Sequence, residues 1–180
     1  KYKTGDCGIC AEVCEAHAID YEQKTETIEL DVGAVVLTPG FKAFDATRRG
    51  EYGFGYAKNV LTNVQFERML SASGPTEGEV RRPSDCKTPK DVVFIQCVGS
   101  RNPEHGVPYC SRICCMYSLK FAHLVRERLP AAEVYNFYID MRTPGKGYEE
   151  FYHRLLHEGA HFIRGRVAEV TDAARMPGEE

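Results

Sequence analysis

Short apolar runs alternate with helix-forming stretches along the second half of this chain, and few architectures can accommodate that order. DVVFIQ (91–96) leads through a loop into SRICCMYSLKFAHLVRER, which Pro130 ends. AEVYNFYI (132–139) precedes GYEEFYHRLLHEG, and AHFIRGRVAEV (160–170) returns as one strand or a pair. Strand, helix, strand, helix, strand in that order implies a mostly parallel sheet covered by helices. Upstream, VGAVVL (32–37) reads as another buried strand ended by Thr38-Pro39-Gly40, and NVQFERMLSAS as a helix. Pro and Gly mark GPTEGEVRRPSDCKTPK as a surface connection.

The chain has 180 residues, 43% of them hydrophobic and 27% charged, which suits one domain with a small appendage. The net charge is -3 and the arginine pairs Arg48-Arg49 and Arg81-Arg82 are scattered, so no nucleic-acid partner is expected. No apolar run reaches the length of a membrane span, nor do the first residues form a signal-peptide core, so the expectation is a soluble, cytoplasmic protein. Opening without Met and within a motif, the sequence reads as part of a longer polypeptide, and a cofactor shared with earlier residues would be incompletely held.

Eight cysteines, clustered and without any mark of export, point to metal or redox work rather than a disulfide scaffold. Ligands of parallel sheets gather at the carboxyl ends of the strands, and Cys97 directly follows VVFIQ. Cys110 lies over the same edge if the intervening loop folds back. On a helix of about 100° per residue, Cys110 and Cys114 share a face and Cys115 is turned from them. Four sulfurs at C-x12-C-x3-C-C lack the paired knuckles of a zinc site, while a cubane accepts thiolates from differing directions. Cys97, Cys110, Cys114 and Cys115 are therefore the candidate [4Fe-4S] ligands, with the helix N-terminus favouring an anionic group. Arg101 and Arg112 are close enough in sequence to raise its potential. Cys86, in a polar loop, falls outside this set.

TGDCGICAEVCEA places Cys7, Cys10 and Cys14 on the bacterial ferredoxin pattern C-x2-C-x2-C-x3-C-P, with Thr4 at the first cysteine's place and Glu15 at the proline's. Cys7 and Cys10 would serve one cluster and Cys14 a second. The expected organisation is a partial ferredoxin-like module over 1–31, a flavoprotein-like domain over 32–170 and a polar tail over 171–180.

The sequence resembles the A subunit of heterodisulfide reductase over about Gly5 to Val170. The motifs that carry this are CGICAEVC with AIDYEQKTETIELDVGAVVLTPGF, EYGFG, FERMLSASGPT, RPSD, FIQCVGSRN, PYCSRICCMYS, GKGYEEFY and FIRGRV. The resemblance implies an α/β fold: a thioredoxin-reductase-like, Rossmann-type parallel sheet with helices on both faces, preceded by the tail of a ferredoxin-like insert. It assigns the [4Fe-4S] cluster to the four cysteines named above. It implies FAD in the full-length protein, near Thr38 and Gly40 in LTPGF, with the main FAD phosphate loop upstream. Electrons would pass between FAD and iron-sulfur clusters, by bifurcation or towards quinone. Partners would be the other subunits of a heterodisulfide-reductase-type complex and a ferredoxin, hydrogenase or formate-dehydrogenase-type donor, with any membrane contact made through them. The segment alone is expected to be inactive.

FIQCVGSRN sits where a nucleotide loop would follow its strand, yet Gly99 alone remains of the glycines such a loop needs, and NAD binding is not expected. HEGAH (157–161) matches H-E-x-x-H, but Gly159 reads as the helix stop, which separates the two histidines. His105 could tune the cluster or simply face solvent. Two rivals remain from the residues alone: a dithiol-disulfide reductase using Cys114 with Cys110 or Cys97, and a zinc module that docks other chains.

Overall fold

A computed structural model describes residues 7–104 and 106–171. The chain divides into two compact units, Lys1–Gly40 and Phe41–Glu180. In the first, the described regular structure is the single-turn helix α1, Ile9–Glu12. The stretches AID, TETIEL and VGAVVL, expected as strands, have no regular structure and no ladder. Val35, Val36 and Leu37 are 74%, 82% and 85% exposed, so the expected buried strand over 32–37 is corrected to an exposed segment without regular structure. A strand gains its stability from a paired neighbour, and among the described residues this one has none. The first unit therefore runs to Gly40, past the boundary expected at residue 31.

The second unit holds the sheet. Strands β1 (Asp91–Ile95), β2 (Glu133–Tyr138) and β3 (His161–Arg164) lie in the order β1-β2-β3, all parallel, with Val93 opposite Tyr135 and Tyr135 opposite His161. Helix α3 (Cys114–Arg128) connects β1 to β2 and α4 (Tyr148–His157) connects β2 to β3. Of AHFIRGRVAEV only the first half is strand. Beyond it the chain is tied down by the Tyr52 hydroxyl on the Val167 carbonyl at 3.1 Å and by the Val170 amide on the Glu51 carbonyl at 2.7 Å.

Helix α2 (Asn63–Leu70) begins with a capping box: the Gln65 amide donates to Thr62 Oγ1 at 3.3 Å, and Gln65 Oε1 accepts from the Thr62 amide at 2.9 Å. Its Phe66, Met69 and Leu70, spaced for one helical face, join Leu119, Phe121, Ala122 and Val125 of α3, Val134 of β2 and Leu155 of α4 in a single core. Phe66 meets Phe94 at 5.8 Å and Phe121 at 5.4 Å, edge to face. Leu119, Val125, Val134 and Leu155 are fully buried, each worth roughly 1.5–3 kcal/mol against exposure. Arg128 closes the far end of α2, with Nη1 donating to the carbonyl of Leu70 at 2.9 Å and to that of Gly78 at 2.6 Å.

The expected coverage of both sheet faces is corrected. Helices α2, α3 and α4 all bury their apolar residues in the one core, and α3 packs on both β2 and α4. Right-handed crossovers through strands in steady order place their helices on one side; coverage of both sides requires the order to reverse. Val93 and Ile163, on the other face, are 51% and 40% exposed.

Leu119→Ala should lower unfolding stability by about 2–5 kcal/mol, since it opens a cavity among fully buried neighbours. Thr62→Ala should cost about 1 kcal/mol through loss of the cap. Denaturant unfolding of the variants measures both, and equal costs would contradict this placement of the core.

Candidate metal centre at the carboxyl end of the sheet

The site begins where β1 stops. Gln96 still donates its amide to the Phe137 carbonyl at 3.0 Å, and the chain then turns through Cys97 at φ 58°. Arg101 and Arg112 also take left-handed backbone, at φ 58° and 63°. Such conformations are uncommon for residues other than glycine and cluster where surrounding structure imposes them.

The loop after Cys97 folds back on itself. The Val107 amide donates to the Gly99 carbonyl at 3.1 Å, the Asn102 amide to that of Val107 at 3.0 Å and the Arg101 amide to that of Tyr109 at 3.1 Å. Gly99 is required by this fold, because a Cβ there would fall 2.2 Å from Cγ of Phe44, and one at Gly106 would fall 2.2 Å from the Gly99 carbonyl oxygen. The glycine expected as a nucleotide-loop relic thus serves close packing of the loop.

These bonds carry Cys110 back to the strand end, and α3 starts there at Cys114. The helical start expected at Ser111 is corrected. Positive φ at Arg112 is incompatible with a right-handed helix, so Cys110 lies before α3 and reaches the site through the loop rather than by sharing a helical face with Cys114. Cys97, Cys110, Cys114 and Cys115 line one pocket together with Ser100, Arg101, Arg112, Asp140 and Arg142.

All four thiols are free, Cys97 and Cys115 buried and Cys110 and Cys114 half-buried. Burial pushes the Cys97 thiol up; Arg101 opposes this and the other three thiols add to it. Burial likewise raises the Cys115 thiol, against the Arg142 amide that lies 3.4 Å from its sulfur. The Arg112 amide donates to Cys110 Sγ at 3.3 Å, and Ser111 Oγ lies 2.8 Å from Cys114 Sγ. Burial, and then the neighbouring Cys114 thiol, push the Tyr117 hydroxyl well above its ordinary value. A hydrogen bond from Arg142, opposed by burial and aided by Arg101, holds the Asp140 carboxyl below the usual range.

Among the described residues no three His, Cys, Asp or Glu side chains converge tightly enough for a single metal ion. Four sulfurs on one zinc would stand only about 3.8 Å apart, given bonds of about 2.3 Å. The pocket presents four cysteine sulfurs together with sulfur-directed amides and guanidinium groups, a donor set of the kind that suits a thiolate-bound anionic cluster.

Other predicted sites lie apart. Cys7 and Cys10 are exposed and Cys14 is half-buried beside α1. Thr4 and His105 lie outside the described residues, as does the tail from 172 onward. Thr38 and Gly40 sit in the exposed segment of the first unit; Gly40 is left-handed, at φ 79°, with nothing within 4 Å of its Cβ direction. Cys86, also left-handed, belongs to a turn in which its amide donates to the Arg82 carbonyl at 2.8 Å. His157 ends α4, whereas His161 begins β3 and pairs with Glu133 at 2.7 Å, so the H-E-x-x-H residues do not share a helix face.

Sequence reasoning missed Asp140 and Arg142. Both follow β2, whose carboxyl end adjoins that of β1 in a parallel sheet, so the same edge rule that singled out Cys97 leads to them.

No family model matches the chain. It is 49% identical over 168 residues to the A subunit of the H(2):CoB-CoM heterodisulfide,ferredoxin reductase of Methanothermobacter marburgensis, covering 93% of this chain and 26% of that protein. It is 52% identical over 167 residues to the iron-sulfur A subunit of the CoB-CoM heterodisulfide reductase of Methanocaldococcus jannaschii, covering 92% of the chain and 25% of the relative. The A subunit of the ferredoxin:CoB-CoM heterodisulfide reductase of Methanosarcina mazei is 51% identical over 164 residues, 91% of the chain and 21% of the relative.

The chain belongs to the family of heterodisulfide reductase A subunits. It spans about a quarter of the length of the curated relatives it matches. No helix among the described residues is long and apolar enough to cross a membrane.

In metal-free protein, timed alkylation read by mass spectrometry should modify Cys7, Cys10 and Cys86 first and Cys97 and Cys115 last. Gly99→Ala, by pushing the loop off Phe44, should remove the protection of Cys97 and cost about 1–3 kcal/mol of stability. Unchanged protection in that variant would contradict the packing of the loop.

Proposed function

We propose that Cys97, Cys110, Cys114 and Cys115 hold a [4Fe-4S] cluster and that this segment relays electrons within a heterodisulfide-reductase-type oxidoreductase. The observation that carries the reading is the meeting of four thiols, from a strand end, a folded-back loop and a helix start, around one pocket. When bound, such a cluster supplies one-electron storage and transfer at a potential set by its surroundings.

The chain's residues serve that purpose by position and charge. Cys97 and Cys115 bring their sulfurs out of water, where an uncompensated thiolate is unfavourable. The amides of Arg112 and Arg142 donate to Cys110 and Cys115, and the guanidinium groups offset the negative charge. The start of α3 adds free amides beside Cys114 and Cys115.

Cys7, Cys10 and Cys14 belong to the reading as partial ferredoxin-type ligands. FAD belongs to it in the full-length protein, with Thr38 and Gly40, which lie in an exposed segment here, as its candidate contacts. The names of the relatives support a complex with further subunits and a ferredoxin, hydrogen or formate-linked donor. Electron bifurcation, or transfer towards quinone, belongs in this reading to the full-length protein.

Iron, acid-labile sulfide and zinc measured on protein purified without oxygen test the proposal. Iron and sulfide should be equal, and changing any one of Cys97, Cys110, Cys114 or Cys115 to Ser should remove about one cubane's worth, whereas Cys86→Ser should remove none. Zinc in place of iron, or no metal with a thiol pair that cycles with a disulfide, would overturn the cluster assignment.

A further inference from the structure

The polar rim of the cysteine pocket is built around one carboxylate. Asp140, just after β2, pairs with Arg101 from the loop after β1. The same carboxylate takes two bonds from Arg142, with Nε at 3.2 Å from Oδ1 and Nη2 at 3.3 Å from Oδ2. Arg142 in turn reaches the thiols: its amide lies 3.4 Å from Cys115 Sγ, and it lines the pocket together with Cys110. One carboxylate therefore ties together two guanidinium groups from two different loops, and all three residues line the pocket that holds the four sulfurs.

A role in stability alone accounts poorly for this arrangement. The side chains of Arg101, Asp140 and Arg142 are 23%, 39% and 44% exposed, and ion pairs so close to water contribute little to folding. Exposure also means that either arginine, once released, has solvent to move into. Guanidinium groups keep their proton at all working pH values, so a held arginine is a permanent charge.

We propose that Asp140 is a positioning residue that holds the Arg101 and Arg142 guanidinium groups on the four-cysteine pocket, and that these two fixed charges raise the reduction potential of the bound cluster. The inference rests on the cluster reading given above. Reduction adds one negative charge to the site, so a fixed positive charge nearby stabilises the reduced form more than the oxidised one and moves the midpoint upward. Asp140 itself carries a negative charge that acts the other way. Its removal alone gives no clear sign, and the coupling between Asp140 and each arginine is the informative quantity.

The test uses the full-length protein purified without oxygen, with iron and sulfide assayed and the midpoint potential read on the spectroscopic signal that Cys97→Ser abolishes. Arg101→Gln and Arg142→Gln should each keep full iron and shift the midpoint to more negative values. In the Asp140→Asn background each of these shifts should fall to less than half, because the guanidinium group has already left the pocket. Arg142→Lys, which keeps the charge without the planar fork, should recover part of the loss and remains informative if Arg142→Gln takes up no iron. Full iron with unmoved midpoints in the arginine variants would overturn the inference and leave the cluster assignment standing. Additive shifts in the double variants would overturn the positioning role of Asp140. A wild-type protein lacking the iron that Cys97→Ser should remove would overturn the cluster reading, and this inference with it.

Discussion

Burial of one face of α3 governs the architecture of the second unit. Leu119, Ala122 and Val125 are fully enclosed between α2, β2 and α4, and the helix can neither slide nor rotate without exposing them. Arg126 fixes its far end, with Nη1 on the Ala132 carbonyl at 2.7 Å and Nε on that of Glu158 at 3.1 Å. Since α3 connects parallel strands, its N-terminus returns to the edge where β1 ends. Cys114 and Cys115 open that helix, so the apolar packing below them fixes where two sulfurs stand relative to Cys97.

The cysteine pocket sets a cost of burial against a supply of positive charge. Burial raises the thiols of Cys97 and Cys115, and neighbouring thiols make the ionisation of each harder still. Against this the loops place Arg101, Arg112 and Arg142, two sulfur-directed amides and the first turn of α3. The left-handed residues Cys97, Arg101 and Arg112 mark what that geometry demands of the backbone, at about 1–3 kcal/mol each. Strain of this kind persists where neighbouring packing over-determines the conformation, as the Phe44 ring against Gly99 does here.

The first unit contrasts with the second. Its cysteines are largely exposed, and Ile28, Leu30, Val32, Val35, Val36 and Leu37 face solvent. Regular alternation and a continuous apolar run indicate what a segment can become when paired; they do not supply the pair. The chain as a whole covers 26% and 25% of the length of two of its relatives.

The strand and helix order of 91–164, the grouping of four cysteines and the family were all legible in the residues alone. Each depends on spacing or local pattern: apolar runs of strand length, a helical period through α3 and α4, ordered motifs along most of the chain. Local turn chemistry likewise separated Cys86 from the four grouped cysteines and broke the H-E-x-x-H pattern at Gly159. Other features emerged with the three-dimensional packing: that 32–37 is unpaired, that the helices share one sheet face, and that Cys110 arrives by a folded-back loop. Asp140 belongs with these, for it stands far from Arg101 in sequence and joins it only because parallel strands bring their carboxyl ends to one edge. Pairing partners, crossover sides and the meeting of loops are long-range facts, fixed by packing and hydrogen bonds between distant residues rather than by the pattern within any one stretch.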